Sequence, residues 1–116
     1  MKKIRTLLLG LGRISTLLEK DPYRIHPCTH AGVLFSKFGK KNFVVSGFFD
    51  IVPDRVFQFA KDWNINLRKI STDLKDIENS GFDLCIIASS SASHYENALF
   101  AIQKNIKNIL IEKPAC

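Results

Sequence analysis

The chain has 116 residues, 46% of them apolar and 24% charged, with a formal net charge of +6, which suits one domain with a single core and leaves no room for two. No stretch approaches the roughly 20 apolar residues of a membrane span, and the apolar run behind Met1-Lys2-Lys3 is too short for a signal peptide, so a cytoplasmic protein without membrane contact is expected. The lysines and arginines are scattered and match no nucleic-acid motif, so the positive charge reads as a solvated surface suited to a polyanionic cofactor rather than to nucleic acid.

The first strand is expected over Lys3-Ile4-Arg5-Thr6-Leu7-Leu8-Leu9, ending at Gly10-Leu11-Gly12-Arg13-Ile14-Ser15. A strand, two glycines and then a helix-compatible segment is the setting of the dinucleotide fingerprint, with Ser15 in the place of its third glycine. Gly10 would allow the tight turn and Gly12 the close approach of a pyrophosphate. The helix expected to follow would offer free N–H groups to that anion.

The segment from Glu19 to Cys28 carries Pro22 and Pro27 and interrupts the helical pattern. The sequence leaves open whether the insertion from Lys20 to Pro27 lies near the cofactor or is a surface loop. Thr29 can cap a second helical piece that Gly39 would end. A buried strand is expected over Asn42-Phe43-Val44-Val45-Ser46-Gly47-Phe48-Phe49-Asp50. Its closing acid, Asp50, is the candidate to accept hydrogen bonds from the ribose, with the insertion explaining its distance from the glycines. A carboxylate there favours NAD over NADP, while Arg55, about one helical turn on, keeps NADP open.

Pro53 should open a helix whose apolar side is Val56, Phe57, Phe59, Ala60 and Trp63. A short edge strand over Ile65-Asn66-Leu67-Arg68-Lys69-Ile70 and a short helix after Asp73 follow, the latter ending near Asn79-Ser80-Gly81. Asp83-Leu84-Cys85-Ile86-Ile87-Ala88 is the fourth strand, and the serine-rich turn behind it sits where ligands bind in open α/β sheets. Ser93 and Glu96 have capping-box spacing, and Tyr95, Ala98, Leu99 and Ile102 would form the next buried stripe. Ile109-Leu110-Ile111 is the fifth strand and leads into Glu112-Lys113-Pro114. Cys28, Cys85 and Cys116 lack metal-ligand spacing and read as reduced thiols. The whole describes an α/β, doubly wound, mostly parallel sheet of Rossmann type in a single domain, with strand order 3-2-1-4-5.

With the glycine loop, the segment Ala88-Ser89-Ser90-Ser91-Ala92-Ser93-His94 and Glu112-Lys113-Pro114 in place, the chain resembles the N-terminal domain of the Gfo/Idh/MocA family of nicotinamide-dependent oxidoreductases. The resemblance implies cofactor contacts at Gly10, Leu11, Gly12, Arg13, Ile14, Asp50, Ser89, Ser90, His94 and Glu112. It implies a catalytic role for Lys113 beside the substrate oxygen; Pro114 fixes the backbone there, and the Lys113-Pro114 bond is a candidate for cis. The family often has a Thr-Pro-Asn type sequence where three serines stand here.

The resemblance further implies NAD as cofactor, a sugar, cyclitol or related secondary alcohol as substrate, and a following α+β domain that completes the pocket. With that domain absent after Cys116, the chain is expected to bind NAD(H) without turnover. A non-catalytic NAD(H)-binding sensor or docking module is the alternative, and a homo-oligomer is left open.

Overall fold

The computed structural model describes residues 2–77 and 81–112. Five strands form one all-parallel sheet in the order β3-β2-β1-β4-β5, as the apolar runs predict, although the second strand is buried only over Gly47-Phe48-Phe49, with Val44 and Ser46 exposed. They are β1 (Ile4–Leu9), β2 (Phe43–Phe49), β3 (Ile70–Ser71), β4 (Leu84–Ile87) and β5 (Asn108–Ile111). Among the described residues four α-helices flank them: α1 (His30–Leu34), α2 (Lys37–Asn42), α3 (Pro53–Trp63) and α4 (Ser91–Gln103).

Side chains of a strand alternate between sheet faces, and each face here has its own core. Leu7, Leu9, Phe49, Cys85 and Ile87 pack with Ala101 and Ile106 on one side. Leu8, Phe48 and Ile86 pack with Leu34, Val56 and Phe59 on the other. On that second side Phe35, Phe48, Phe59 and Trp63 form an aromatic cluster with neighbouring centroids 5.1–6.3 Å apart. Burial of the Cys85 thiol among apolar neighbours pushes its pKa up to about 12.

The connection from β1 to β2 departs most from expectation. No α-helix follows the glycines: residues 12–16 form irregular turns, and a 3-10 helix occupies Leu17–Lys20. The helical ladder resumes only later. His30 N–H donates to the Ile14 carbonyl at 3.2 Å and Ala31 N–H to the Ser15 carbonyl at 2.7 Å, so α1 stacks onto the turn made by residues 12–15. The intervening residues are looped out, which accounts for the long spacing between the glycines and Asp50.

Thr29 caps α1 as expected, its hydroxyl accepting from Gly32 N–H. Gly39, however, does not end a helix. Ser36 starts a new one by accepting from Gly39 N–H, and Gly39 is buried where a Cβ would lie about 2.0 Å from the Val33 carbonyl oxygen.

Three further expectations change. Leu67–Lys69 is a 3-10 turn, and the edge strand shrinks to Ile70–Ser71 because only Phe48 and Phe49 of β2 offer it partners. Helix α4 starts at Ser91 behind Ser90 as N-cap, not at a Ser93/Glu96 box, since Ser90 already has the extended backbone of a cap. Its buried positions include Asn97 and Ala101, whereas Tyr95, Leu99 and Ile102 are exposed, as is Phe57 on α3. Asn79 and Ser80 lie outside the described residues.

Candidate functional site

The carboxyl ends of β1, β2 and β4 bring the predicted residues to one edge of the sheet. Gly10 closes β1 with φ +103°, and its N–H donates to the Phe49 carbonyl at 2.7 Å. A Cβ there would sit 2.6 Å from backbone atoms of Ala88 and Ser89, so the first loop packs directly on the serine turn. Only glycine satisfies both the dihedral and the contact.

Beyond Gly10 the loop splits into two parts. Leu11 N–H donates to Asp50 Oδ2 at 2.8 Å, in a buried contact. The N–H groups of Gly12, Arg13, Ile14 and Ser15, by contrast, find no acceptor among the described residues. Four successive amides without an acceptor at the end of a parallel strand are donors of the kind an anion can use. They stand free even though no regular α-helix follows, because the turn itself leaves its first amides unpaired.

Asp50 is 4% exposed and has both oxygens engaged, Oδ2 by Leu11 and Oδ1 by Val52 N–H at 2.8 Å. Arg55 Nη1 lies 3.8 Å from Oδ2 and hangs over Gly12, where an added Cβ would be 3.6 Å from it. The acid thus ties the end of β2 to the glycine loop, and a cation covers the pair. Together Gly10, Asp50, Arg55, Ser89, Ser90 and Ser93 line a shallow cleft of about 50 Å³. That space is sized for part of a ligand lying across the strand ends rather than for an enclosed dinucleotide.

On the β4 side Ser89 Oγ accepts from Asn97 Nδ2 at 2.7 Å, and buried Asn97 thereby fixes that hydroxyl. Ser90, the cap of α4, spends no side-chain hydrogen bond on the helix. Among the described residues Nε2 of His94 is buried without a partner, and so is the hydroxyl of Ser15. Buried polar atoms without partners in the segments after β1 and β4, together with the four unpaired amides, fit a polyanionic, hydrogen-bonding cofactor.

At the end of β5, Glu112 N–H donates to the Ile87 carbonyl at 2.8 Å, and its carboxylate meets His30 Nε2 at 2.9 Å. Sequence reasoning missed this pair, whose members lie 82 positions apart. It also missed Asn97, for which the one signal was a polar side chain three residues after His94. Lys113 and Pro114 lie outside the described residues. Arg13 is exposed and Ile14 partly buried at the rim of the loop.

Residues 4–116 match the family model described as the GFO_IDH_MocA oxidoreductase family, NAD-binding Rossmann fold. The chain belongs to the Gfo/Idh/MocA oxidoreductase family. Comparison with curated proteins by sequence gives no match.

Among solved structures, this Gfo/Idh/MocA domain is similar to the WlbA dehydrogenase of Bordetella pertussis in complex with NADH and UDP-GlcNAcA, with a TM-score of 0.70 and 20% identity over 97% of this chain and 29% of that one. The WlbA dehydrogenase of Chromobacterium violaceum, also in complex with NADH and UDP-GlcNAcA, gives the same TM-score of 0.70 and 20% identity over 98% of this chain and 28% of that one. The super-repressor mutant of Gal80p from Saccharomyces cerevisiae aligns at a TM-score of 0.62 and 18% identity, over 95% of this chain and 27% of that one. The chain therefore spans less than a third of the length of each of these structures. It is an NAD-binding Rossmann domain of an oxidoreductase family.

Proposed function

We propose that the chain is the cofactor domain of an oxidoreductase that uses NAD(H) in preference to NADP(H) and acts on a secondary alcohol of a sugar, cyclitol or related small molecule in the cytoplasm. The observation that carries this reading is the run of unpaired amides from Gly12 to Ser15, flanked by Asp50 and the serine turn. The nicotinamide, when bound, supplies the hydride acceptor or donor.

In this reading the four amides hold the pyrophosphate, and Asp50 meets the adenosine ribose from the position its contacts with Leu11 and Val52 fix. Ser90 and His94 offer hydrogen bonds along the far half of the cofactor, and Ser89 does so from the orientation set by Asn97. Glu112, steadied by His30, lines the nicotinamide side. Lys113, next in the chain, stabilises charge on the substrate oxygen and moves its proton. The substrate pocket is completed by a further domain, in keeping with the greater length of the proteins that share the fold.

Fluorescence titration with NADH and NADPH tests the reading. Saturable NADH binding, weaker NADPH binding and loss of both in Gly12→Val are expected, because a branched side chain would fill the space between the loop and Arg55. Absence of NADH binding at millimolar concentration would overturn it.

A non-catalytic nucleotide-binding module is the second reading, favoured by one observation: the same fold occurs in the super-repressor mutant of Gal80p. Assay of the complete gene product for NADH formation from a panel of sugars and cyclitols separates the two. Turnover supports the enzyme, and NADH binding without any turnover supports the module.

A further inference from the structure

The looped-out segment between the glycine turn and α1 assembles three different metal-ligating side chains. We propose that Glu19, His26 and Cys28 bind a divalent transition ion of the Zn²⁺ class. Their ligand atoms all lie within 4.8 Å of one another, and His26 Nε2 is 3.9 Å from Glu19 Oε2. Tetrahedral zinc with bonds of about 2.0–2.3 Å holds its ligand atoms about 3.5 Å apart. Closing the trio onto an ion thus takes a movement of about an ångström, and exposed His26 is free to make it.

The carboxylate is set for this task. Glu19 Oε1 accepts from Cys28 N–H at 3.0 Å, Thr29 N–H at 3.1 Å and the Thr29 hydroxyl at 2.7 Å. Those bonds fix the carboxyl plane and leave Oε2 facing His26. Cys28 Sγ, whose thiol donates to the Leu18 carbonyl at 3.3 Å, is held on the same side.

Thiolate, imidazole and carboxylate together suit zinc and cobalt rather than magnesium or calcium. Three protein ligands leave a fourth position for water. On binding, the Cys28 thiol gives its proton to solvent and the imidazole enters neutral. Cysteine spacing alone does not show the site, because its ligands are three residue types contributed by one loop.

The test is titration of Co²⁺ into the reduced, chelator-treated chain. A sulfur-to-cobalt charge-transfer band that saturates at one ion per chain is expected. It should vanish in Cys28→Ser, persist in Cys116→Ser, and need at least about tenfold more Co²⁺ in His26→Ala, since loss of an outer-shell contact alone costs 10–100-fold. In the unaltered chain, Zn²⁺ should protect Cys28 from alkylation mapped by mass spectrometry, a readout that requires no variant to fold. Absence of the band, its survival in Cys28→Ser, or alkylation of Cys28 unaffected by Zn²⁺ would each overturn the proposal.

Discussion

Replacing Asp50 should destabilise the domain even with no cofactor present. Its carboxylate accepts two backbone N–H groups at 2.8 Å, from Leu11 in a buried contact and from Val52 in a partly buried one. A hydrogen bond to a charged group contributes about 1.5–3 kcal/mol, and a buried donor left unpaired costs about 1–3 kcal/mol. The Val52 amide recovers some of this from water, and the ion pair with half-exposed Arg55 at 3.8 Å adds little. Asp50→Ala should therefore cost about 2–4 kcal/mol. Asp50→Asn keeps one acceptor but presents an N–H₂ to the other amide, so it should cost about 1–3 kcal/mol.

Urea unfolding followed through Trp63, the one tryptophan, and by far-UV circular dichroism measures both values. If both variants unfold within about 0.5 kcal/mol of the parent, the usual range for surface substitutions, the carboxylate does not brace the glycine loop and the reasoning fails. A double readout follows for function. Stability lost without cofactor, together with NADH affinity lost beyond what unfolding explains, separates the bracing role of Asp50 from its proposed ribose contact.

Gly10→Ala should cost more than about 2 kcal/mol and abolish NADH binding, because φ +103° is strained for alanine and the new methyl meets immovable backbone of Ala88 and Ser89; urea unfolding and NADH titration check both. Arg55→Ala should weaken NADPH binding more than NADH binding, by about tenfold if the guanidinium over Gly12 meets a 2′-phosphate; paired titrations show it, and equal losses for the two cofactors would remove Arg55 from that role. His30→Ala should lower stability by about 1 kcal/mol through loss of its 2.9 Å bond to partly exposed Glu112, read by thermal melting. For Cys85 the raised pKa means that the folded state favours the protonated thiol, so its contribution is complete below the ordinary value of 9.0 and lost as pH climbs toward about 12. The urea midpoint should fall above pH 9, and less steeply in Cys85→Val.

The sheet was legible because its central segments are buried on both faces: Leu7-Leu8-Leu9, Phe48-Phe49 and Cys85-Ile86-Ile87 can settle nowhere else. Strand order followed from the crossovers, and the cap at Thr29 and the helix start at Pro53 from local chemistry. Helix faces were less legible. Tyr95, Leu99 and Ile102 look like a core stripe by residue type, yet the sheet meets the face that carries Asn97 and Ala101.

The glycine loop, Asp50 and the serine turn could be placed from sequence because each ends an apolar strand. Arg55 over Gly12 and His30 against Glu112 could not, since those contacts exist only once separate crossovers have packed. The broken helix was hidden for a similar reason. No local pattern states that the amides of His30 and Ala31 complete a turn begun at Ile14 and Ser15.

That splice has a consequence for how the domain can change. The excursion leaves and rejoins the fold within one hydrogen bond's reach, at Ser15 and Ala31, so its length is uncoupled from the register of every strand. Selection can lengthen, shorten or re-equip it as a cassette while the nucleotide crevice stays in place.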